Sequence, residues 1–313
     1  MQTAILTANG FRLADAEKPQ PGPGEVLVKT VSCGVCGGDL QQYRDRANLG
    51  SNGETLLGHE GSGVVEAVGE GVTAFSAGDV VTSLEGGYAD YFTCREDLLL
   101  KVPEGIDPMI ALGEPVACCV HAVNRFPDVY GKTAAVVGCG FMGLICLQLL
   151  KIRGAEEVVA IDLHEGRRSM ALQLGASRAI SPAELPDFDP DDGLFDIVVE
   201  AAGAQSAVDL STELVTQHGS LNLVGYHESG DGQRTVNMQL WNFKAIDVHN
   251  GHVRRMDEKL DAMRDGLELM RQGLLATGPL VSRYSLDDVQ DAFSDFAAAK
   301  EGLFKAVLIP GSS

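Results

Sequence analysis

Hydrophobic and polar residues are arranged in two different ways along the chain, and the change falls near residue 120. Before it, short runs of β-type residues are separated by glycine, which predicts a small barrel or sandwich. These runs cover 25–31, 61–68, 79–82 and 88–93. After it, strand-like segments alternate with helical ones, which is typical of a doubly wound parallel sheet. The predicted fold class is therefore α/β.

The alternating part of the chain can be divided into separate elements. Strands are predicted at 134–137, 157–161, 195–200, 220–224 and 246–249, and helices at 142–153 and 166–174. An amphipathic helix at 257–272 presents one apolar stripe, formed by Leu260, Met263, Leu267 and Met270. A helix at 286–299 and a strand at 304–309 do not continue the repeat, so the tail is expected to return to the first domain. The predicted domains are 1–120, completed by 258–313, and 121–257.

Composition and charge exclude several classes of partner. The 313 residues carry a formal net charge of −20, and this field repels nucleic acids and anionic membranes. No apolar run reaches the length of a membrane span, and the first residues lack the pattern of a signal peptide. Seven cysteines, an odd number, are typical of reduced thiols in a cytoplasmic protein, which is the expected location.

A glycine-rich loop follows the predicted strand 134–137 directly and opens the next helix. It reads Gly138-Cys139-Gly140-Phe141-Met142-Gly143, the G-x-G-x-x-G pattern of dinucleotide-binding loops. The first glycine permits a tight turn, the second lets the backbone approach a pyrophosphate, and the third lets helix and strand pack closely. The free N–H groups at the helix N-terminus would face the phosphates.

An acidic residue stands where the partner of such a loop is expected. Asp162 ends the next strand, and its carboxylate can accept hydrogen bonds from ribose hydroxyls. Because a carboxylate would repel a 2′-phosphate, NAD is favoured over NADP. Arg167 is a further candidate contact to the adenosine, or else a solvated charge on the helix.

Residues of the types that bind metal ions occur in two segments of the first domain. One reads Cys33-Gly-Val-Cys36-Gly-Gly38-Asp39, and the other Gly58-His59-Glu60. Thiolate sulfur and imidazole nitrogen suit zinc, and a carboxylate can complete the set. A redox role for the Cys33/Cys36 pair is the alternative, although no thioredoxin-like pattern surrounds it.

The order of these motifs resembles the zinc-containing medium-chain dehydrogenase/reductase family. Besides the cysteine, histidine and glycine-loop segments, the run Gly-Glu-Pro-Val-Ala-Cys-Cys-Val-His-Ala at 113–122 carries the resemblance. The polyol (sorbitol-like) and threonine dehydrogenase branch is the most similar. The resemblance implies a GroES-like β-barrel catalytic domain and a Rossmann cofactor domain.

The resemblance also assigns roles to individual residues. Cys36 and His59 match the catalytic zinc ligands, and Asp39 matches an acid that orients them. Glu60 matches a glutamate that binds the metal or exchanges with water, and Glu114 occupies the position of the third ligand. One catalytic zinc ion per chain is thus implied.

Three positions outside the glycine loop are implied to line the cofactor. Gly203 and Gly225 lie in segments that resemble cofactor-lining segments of the family, and Lys305 is a candidate contact to the pyrophosphate or a surface lysine.

The chain departs from the family pattern in two places. Gly38 replaces a serine or threonine that passes on the alcohol proton, and Gln41 replaces a histidine further along the same relay. Either metal-bound water together with Glu60 would then take the proton, or a residue elsewhere would substitute for the relay. The four-cysteine lobe that holds a structural zinc in relatives is missing, since Cys94 stands alone in that region, so no structural zinc is expected.

The resulting functional prediction is an NAD-dependent zinc dehydrogenase that acts on a secondary alcohol. A polyol, a sugar or an amino-alcohol is the expected substrate, and a larger scaffold such as a cyclitol or glycoside is the alternative. A zinc-free NAD(P)H enone reductase and a non-catalytic NAD-binding protein are further alternatives. The resemblance favours a homodimer or homotetramer formed through the sheet edge near 246–253.

Overall fold

The computed structural model describes residues 1–50, 53–227 and 232–311, which divide into two compact units. The first unit comprises Met1–Pro115, Met263–Gly273 and Thr277–Ser313, and the second Val116–Ala262 and Leu274–Ala276. The chain therefore passes to the second unit at 115/116, returns at 262/263, and enters the second unit once more for the three residues Leu274–Ala276. The boundaries predicted from the sequence lie at 120/121 and 257/258.

The first unit is built mainly from antiparallel strands. They are β1 (Gln2–Thr7), β2 (Gly10–Asp15), β3 (Glu25–Gly34), β4 (Glu54–Leu56), β5 (Glu60–Val68), β6 (Val80–Ser83), β7 (Tyr91–Arg95), β8 (Leu99–Lys101), β15 (Val281–Ser285) and β16 (Lys305–Ile309). One sheet has the order β2-β1-β4, and the other β15-β16-β3-β5-β6-β8, with β7 also paired to β3. Strand β16 pairs antiparallel with β3, so the C-terminal tail is part of this unit.

Two helices of the first unit, α1 (Gly37–Arg44) and α8 (Val289–Ala297), contribute to one buried cluster with strand residues. Aromatic rings occupy its centre, and Phe293 contacts the rings of Phe11, Tyr43 and Tyr88. Aromatic pairs of this kind add to the stabilisation that burial alone supplies. The end of β3 and the start of α1, where Cys36 and Asp39 lie, are thus supported by this core.

The second unit alternates strands and helices. Its strands are β9 (Thr133–Val137), β10 (Glu157–Ile161), β11 (Arg178–Ile180), β12 (Phe195–Glu200), β13 (Val215–Leu223) and β14 (Asp247–Asn250). Its helices are α3 (Phe141–Ile152), α4 (Glu165–Gln173), α5 (Gln205–Leu214) and α6 (Met238–Lys244), while α2 (Gly113–Asn124) and α7 (Met256–Arg271) cross the division between the units.

The strands of the second unit form one parallel sheet in the order β11-β10-β9-β12-β13-β14. Central strands such as β9 and β12 are buried on both faces, which explains their continuous apolar runs. The strand order reverses between β9 and β12. Ligands of doubly wound sheets bind at the carboxyl ends of the strands at such a point.

The predicted α/β class is confirmed by the mainly antiparallel sheets of the first unit and the parallel sheet of the second. Strands β10 and β12 have the predicted bounds, and α3 and α4 begin one residue earlier than predicted. Strand β13 begins at Val215 rather than at 220, because its first part pairs with the start of β12. Within the described residues, no helix is long and apolar enough to cross a membrane.

A buried lysine connects two helices of the second unit. Lys244, the last residue of α6, is fully buried, and its Nζ donates to the carbonyl oxygens of Thr212 (3.1 Å), Glu213 (2.7 Å) and Val215 (2.7 Å). These carbonyls lie at the C-terminal end of α5, where helix carbonyls have no partner within the helix. A cation there is also favoured by the helix dipole.

We expect Lys244→Met to lower the free energy of unfolding by about 2–4 kcal/mol, because it leaves these buried carbonyls without a donor. Urea denaturation measures the effect. Lys151→Met, on a half-buried lysine in the last turn of α3, is the matched control and should cost less than about 0.5 kcal/mol. Equal losses for the two variants would contradict the capping role of Lys244.

Candidate active site

Three potential metal ligands meet where β3 ends and β5 begins. Cys36 is the N-cap of α1, His59 directly precedes β5, and Glu60 is its first residue. One ligand atom of each lies within 4.8 Å of the others. They meet because β3 and β5 are paired antiparallel, with Gly34 opposite Glu60. The structure therefore brings together three of the four ligands that the resemblance implies.

Gly34 makes room for the carboxylate on the opposite strand. A Cβ atom at this position would lie 2.0 Å from Oε2 of Glu60, closer than any real contact. A larger residue would therefore push Glu60 out of the group.

His59 is oriented by Asp39. Its Nδ1 lies 3.5 Å from Oδ1 of Asp39, which is buried in the first turn of α1. Hydrogen bonding to Asp39 and then to Cys36 raises the pKa of the His59 imidazole to about 11. With Nδ1 facing the carboxylate, Nε2 is the ring nitrogen left for a metal. The same negatively charged groups that stabilise a protonated imidazole would also attract a metal cation.

Glu60 forms a buried ion pair with a residue from the C-terminal tail. Lys305, the first residue of β16, places Nζ 2.9 Å from both carboxylate oxygens and 3.1 Å from the carbonyl oxygen of Val35. Burial raises the pKa of Glu60, and the Lys305 ammonium opposes this change. Burial would lower the pKa of Lys305, but the charges of Glu60 and Cys36 raise it above its usual range.

The structure thus gives Lys305 a different role from the predicted one. We expected a contact with the cofactor pyrophosphate or an exposed surface lysine, yet its ammonium is buried and bonded to Glu60. The sequence carries no signal for this pair, since the two residues are 245 positions apart.

Glu114 lies in the first turn of α2 and is buried. It does not belong to the group of ligand atoms within 4.8 Å of one another. Its charge nevertheless acts on Glu60, where it adds to the effect of burial in raising the pKa. The predicted ligand is therefore near the site, and its coordination stays a prediction.

The donor set fits zinc. A thiolate, an imidazole and a carboxylate are the ligand types that zinc prefers, and a catalytic site keeps one position for substrate. Asp39 supplies the outer hydrogen bond that zinc-binding histidines usually make. Tyr88, which we did not predict, donates in turn to Asp39.

The first cysteine of the pair has no part in this group. Cys33 is fully buried in the core cluster, and burial raises its pKa well above the usual range, as do Asp39 and Glu60. A redox cysteine requires an accessible thiolate, so these surroundings oppose the redox alternative. Cys94 is also buried, and burial raises its pKa to about 12. The predicted absence of a structural zinc stays a prediction.

The residues at the two altered relay positions have no contact with the donor group among the described hydrogen bonds. Gly38 lies in the first turn of α1 and has no side chain to pass a proton. Gln41 donates from Nε2 to Oδ2 of Asp45, 2.8 Å away and one turn further along the same exposed helix face. The structure therefore offers no substitute for the relay at these positions.

The glycine loop of the second unit has the geometry that a dinucleotide needs. Gly138 has a φ of +97°, and a Cβ at Gly143 would lie 1.9 Å from the carbonyl oxygen of Gly138. By contrast, a Cβ at Gly140 would meet nothing within 4 Å, so open space lies beside the loop. Gly140 is the N-cap of α3, which begins with Phe141 and Met142. Phosphate contacts of these residues stay predictions.

Asp162 is held against this loop. Its Oδ2 accepts the N–H of Cys139 and its Oδ1 that of His164, both at 2.8 Å. Nη1 of Arg167 lies 3.7 Å from Oδ2. A carboxylate oxygen accepts more than one hydrogen bond, so a ribose hydroxyl can be added to these contacts.

Gly203 and Gly225 are required by backbone packing at the ends of β12 and β13. A Cβ at Gly225 would lie 2.3 Å from the nitrogen of Gly203. Glu200 stabilises the turn that follows β12, because its Oε1 accepts hydrogen bonds from the N–H groups of Ala202 (2.8 Å) and Gly203 (2.7 Å). The cofactor contacts predicted for these glycines stay predictions.

Comparison with known proteins agrees with the geometry. Residues 22–104 match the family model of the alcohol dehydrogenase GroES-like domain, and residues 142–271 that of the zinc-binding dehydrogenases. The chain is 28% identical to L-threonine 3-dehydrogenase of Pyrococcus abyssi, over 94% of each chain. It is 27% identical to (R,R)-butanediol dehydrogenase of Bacillus subtilis, over 89% of this chain and 90% of the relative.

Among solved structures, a dehydrogenase from Sinorhizobium meliloti 1021 that holds NADP superimposes with a TM-score of 0.87. It is 25% identical, over 99% of each chain. The two family models together match more than half of the chain, in the order predicted from the motifs. The chain belongs to the zinc-type medium-chain dehydrogenases of the alcohol dehydrogenase superfamily.

Proposed function

We propose that the protein transfers a hydride between a secondary alcohol and NAD, with one zinc ion held by Cys36, His59 and Glu60. The observation that carries the proposal is the meeting of these three donors within 4.8 Å at the ends of paired strands. When bound, the zinc ion supplies a Lewis acid that polarises the oxygen of the alcohol or of the ketone product.

The protein's own residues prepare this site in two ways. Asp39 holds the imidazole of His59 in one orientation, so that little reorganisation is needed when the metal binds. Lys305 neutralises Glu60, which would otherwise be a costly isolated charge in the interior. Glu60 is therefore shared between the donor group and the lysine, and Glu114 is the proposed further ligand.

The second unit would bind NAD through its glycine loop. The open space at Gly140 and the positive end of the helix dipole at the N-terminus of α3 suit a pyrophosphate. Asp162 would accept hydrogen bonds from the ribose and repel a 2′-phosphate, which supports NAD as the preferred coenzyme. The relative from Sinorhizobium meliloti holds NADP, so this choice needs a direct test.

A small polyol, sugar or amino-alcohol is the proposed substrate. The names of two relatives, a threonine dehydrogenase and a butanediol dehydrogenase, support compounds of this size. A larger cyclitol or glycoside is the alternative. A screen of these five classes with NAD, followed through NADH absorbance, separates them. An enone reductase would turn over none of them, and neither would a non-catalytic NAD-binding protein.

We also propose a homodimer or homotetramer. Strand β14 is the last strand of the parallel sheet, and most of its residues are exposed. An uncovered edge strand can pair with the same strand of a second copy.

We expect Cys36→Ser to reduce the zinc content well below one equivalent per chain and to lower kcat/KM about a thousandfold. The reason is that a lost Lewis acid removes several kcal/mol of transition-state stabilisation. Metal analysis and steady-state kinetics measure both effects. Cys33→Ala is the matched control from the same motif and should keep its zinc. An active wild-type protein without metal would contradict the proposal.

We expect Asp162→Asn to raise the ratio of kcat/KM for NADP to that for NAD at least about tenfold, because it removes a charge that opposes the 2′-phosphate. The amide oxygen can accept only one of the two backbone N–H groups, but this loss affects both coenzymes and cancels in the ratio. Steady-state kinetics with both coenzymes gives the ratio. Glu165→Gln, an exposed acid three residues further on, is the control and should leave it unchanged. A wild-type preference for NADP would overturn the assignment of NAD.

A further inference from the structure

Tyr88 contacts the acid that orients His59. Its hydroxyl lies 2.6 Å from Oδ2 of Asp39, while Oδ1 of the same carboxylate faces Nδ1 of His59 at 3.5 Å. The two oxygens of Asp39 thus have different partners, and His59 is one of the three metal donors. No role for Tyr88 follows from the sequence motifs.

The direction of the hydrogen bond follows from the number of hydrogens. A phenol has one O–H, and two acceptors lie near it: Oδ2 of Asp39 at 2.6 Å and the carbonyl oxygen of Gly34 at 3.3 Å. The shorter contact to a carboxylate is the stronger one, because charge-assisted hydrogen bonds are short. Tyr88 therefore donates to Asp39.

The position of this hydroxyl is determined by the core. Tyr88 is 1% exposed, and its ring packs edge-on against Phe293, with centroids 5.7 Å apart. Its backbone N–H donates to the carbonyl oxygen of Leu57 (3.2 Å), and its carbonyl accepts the N–H of Ala4 (2.8 Å). The backbone and the ring are both held, so the hydroxyl has little freedom to move away from Asp39.

A carboxylate needs such a partner to keep one orientation. The last side-chain torsion of aspartate is broad, so Asp39 can rotate about it unless its oxygens are held. Asp39 is 3% exposed, and a buried oxygen that loses its donor is costly. Without the Tyr88 hydroxyl, Oδ2 of Asp39 would rotate toward another hydrogen-bond donor. The same rotation would move Oδ1 away from His59.

We propose that Tyr88 is a positioning residue of the metal site, which holds Asp39 so that His59 presents Nε2 to the zinc ion. The inference rests on the proposed function, because it concerns how firmly the proposed zinc is held. It adds a third member, from the turn before β7, to the pair formed by Asp39 and His59.

Tyr43 provides a matched control for removal of the hydroxyl. It is buried in the same cluster, and its ring also packs on Phe293, at 5.3 Å. Its hydroxyl contacts Gln290 and Ser294 instead of Asp39. Tyr88→Phe and Tyr43→Phe therefore each remove one hydroxyl from the same core, and only one of them faces the carboxylate.

The test measures the rate at which zinc-loaded protein releases its metal to an excess of a chelating dye, together with kcat and KM. Tyr88→Phe should release zinc about 5–10-fold faster, which is below the range of about 10–100-fold for loss of the direct partner of a metal ligand, because Tyr88 acts through Asp39. Tyr43→Phe should stay within about twofold of wild type. Urea denaturation of both variants checks that their stabilities are similar.

A second comparison uses Asp39→Asn. If Tyr88 acts through Asp39, Tyr88→Phe should change zinc release by less than about twofold in the Asp39→Asn background, since coupled residues are not additive. Three results would overturn the inference and leave the proposed function standing. They are a zinc-release rate of Tyr88→Phe equal to that of wild type, an equal increase of this rate in Tyr43→Phe, and additive effects of the two substitutions in the Tyr88→Phe, Asp39→Asn double variant. A wild-type protein that binds no zinc would overturn both.

Discussion

The buried ion pair between Glu60 and Lys305 is the interaction on which the first unit depends. Both side chains are almost completely buried, and an isolated charge in such a place costs several kcal/mol. The carboxylate opens β5 and the ammonium opens β16, so the pair joins two strands that flank β3. The return of the C-terminal tail therefore completes the sheet and also makes an ionised glutamate tolerable beside Cys36 and His59.

Buried charged side chains also have partners in the second unit. There the partners are backbone groups and not other side chains. Lys244 is bonded to the carbonyls that end α5, and Asp162 to the N–H groups of Cys139 and His164. In both cases a charge stabilises a backbone segment that lacks its regular hydrogen bonds. Besides its proposed contact with a ribose, Asp162 thus holds the turn that shapes the glycine loop.

Local patterns in the sequence were enough to predict the parts of the fold whose signal is local. The buried strands β10 and β12 have the predicted bounds, because continuous apolar runs mark central parallel strands. The donors Cys36, His59 and Glu60 were predicted from motifs, and the strand pairing brings them together. Lys305 and Tyr88 could not be assigned in this way, because their roles depend on contacts with residues 245 and 49 positions away.

The contacts among Tyr88, Asp39 and His59 hold the imidazole in one orientation and do not form a path for proton transfer. The outer end of this series is a ring that packs against Phe293 and is 1% exposed, so a proton passed to Tyr88 would not reach water there. Gln41, which stands where relatives place a relay histidine, is bonded to Asp45 instead. The described contacts therefore fix the orientation of His59, and they include no hydrogen bond that would conduct a proton outward along α1 from the donor group. Among the three donors, His59 and Cys36 are half-buried while Glu60 is 2% exposed, so a proton exchanged with water would pass on the side of His59 and Cys36.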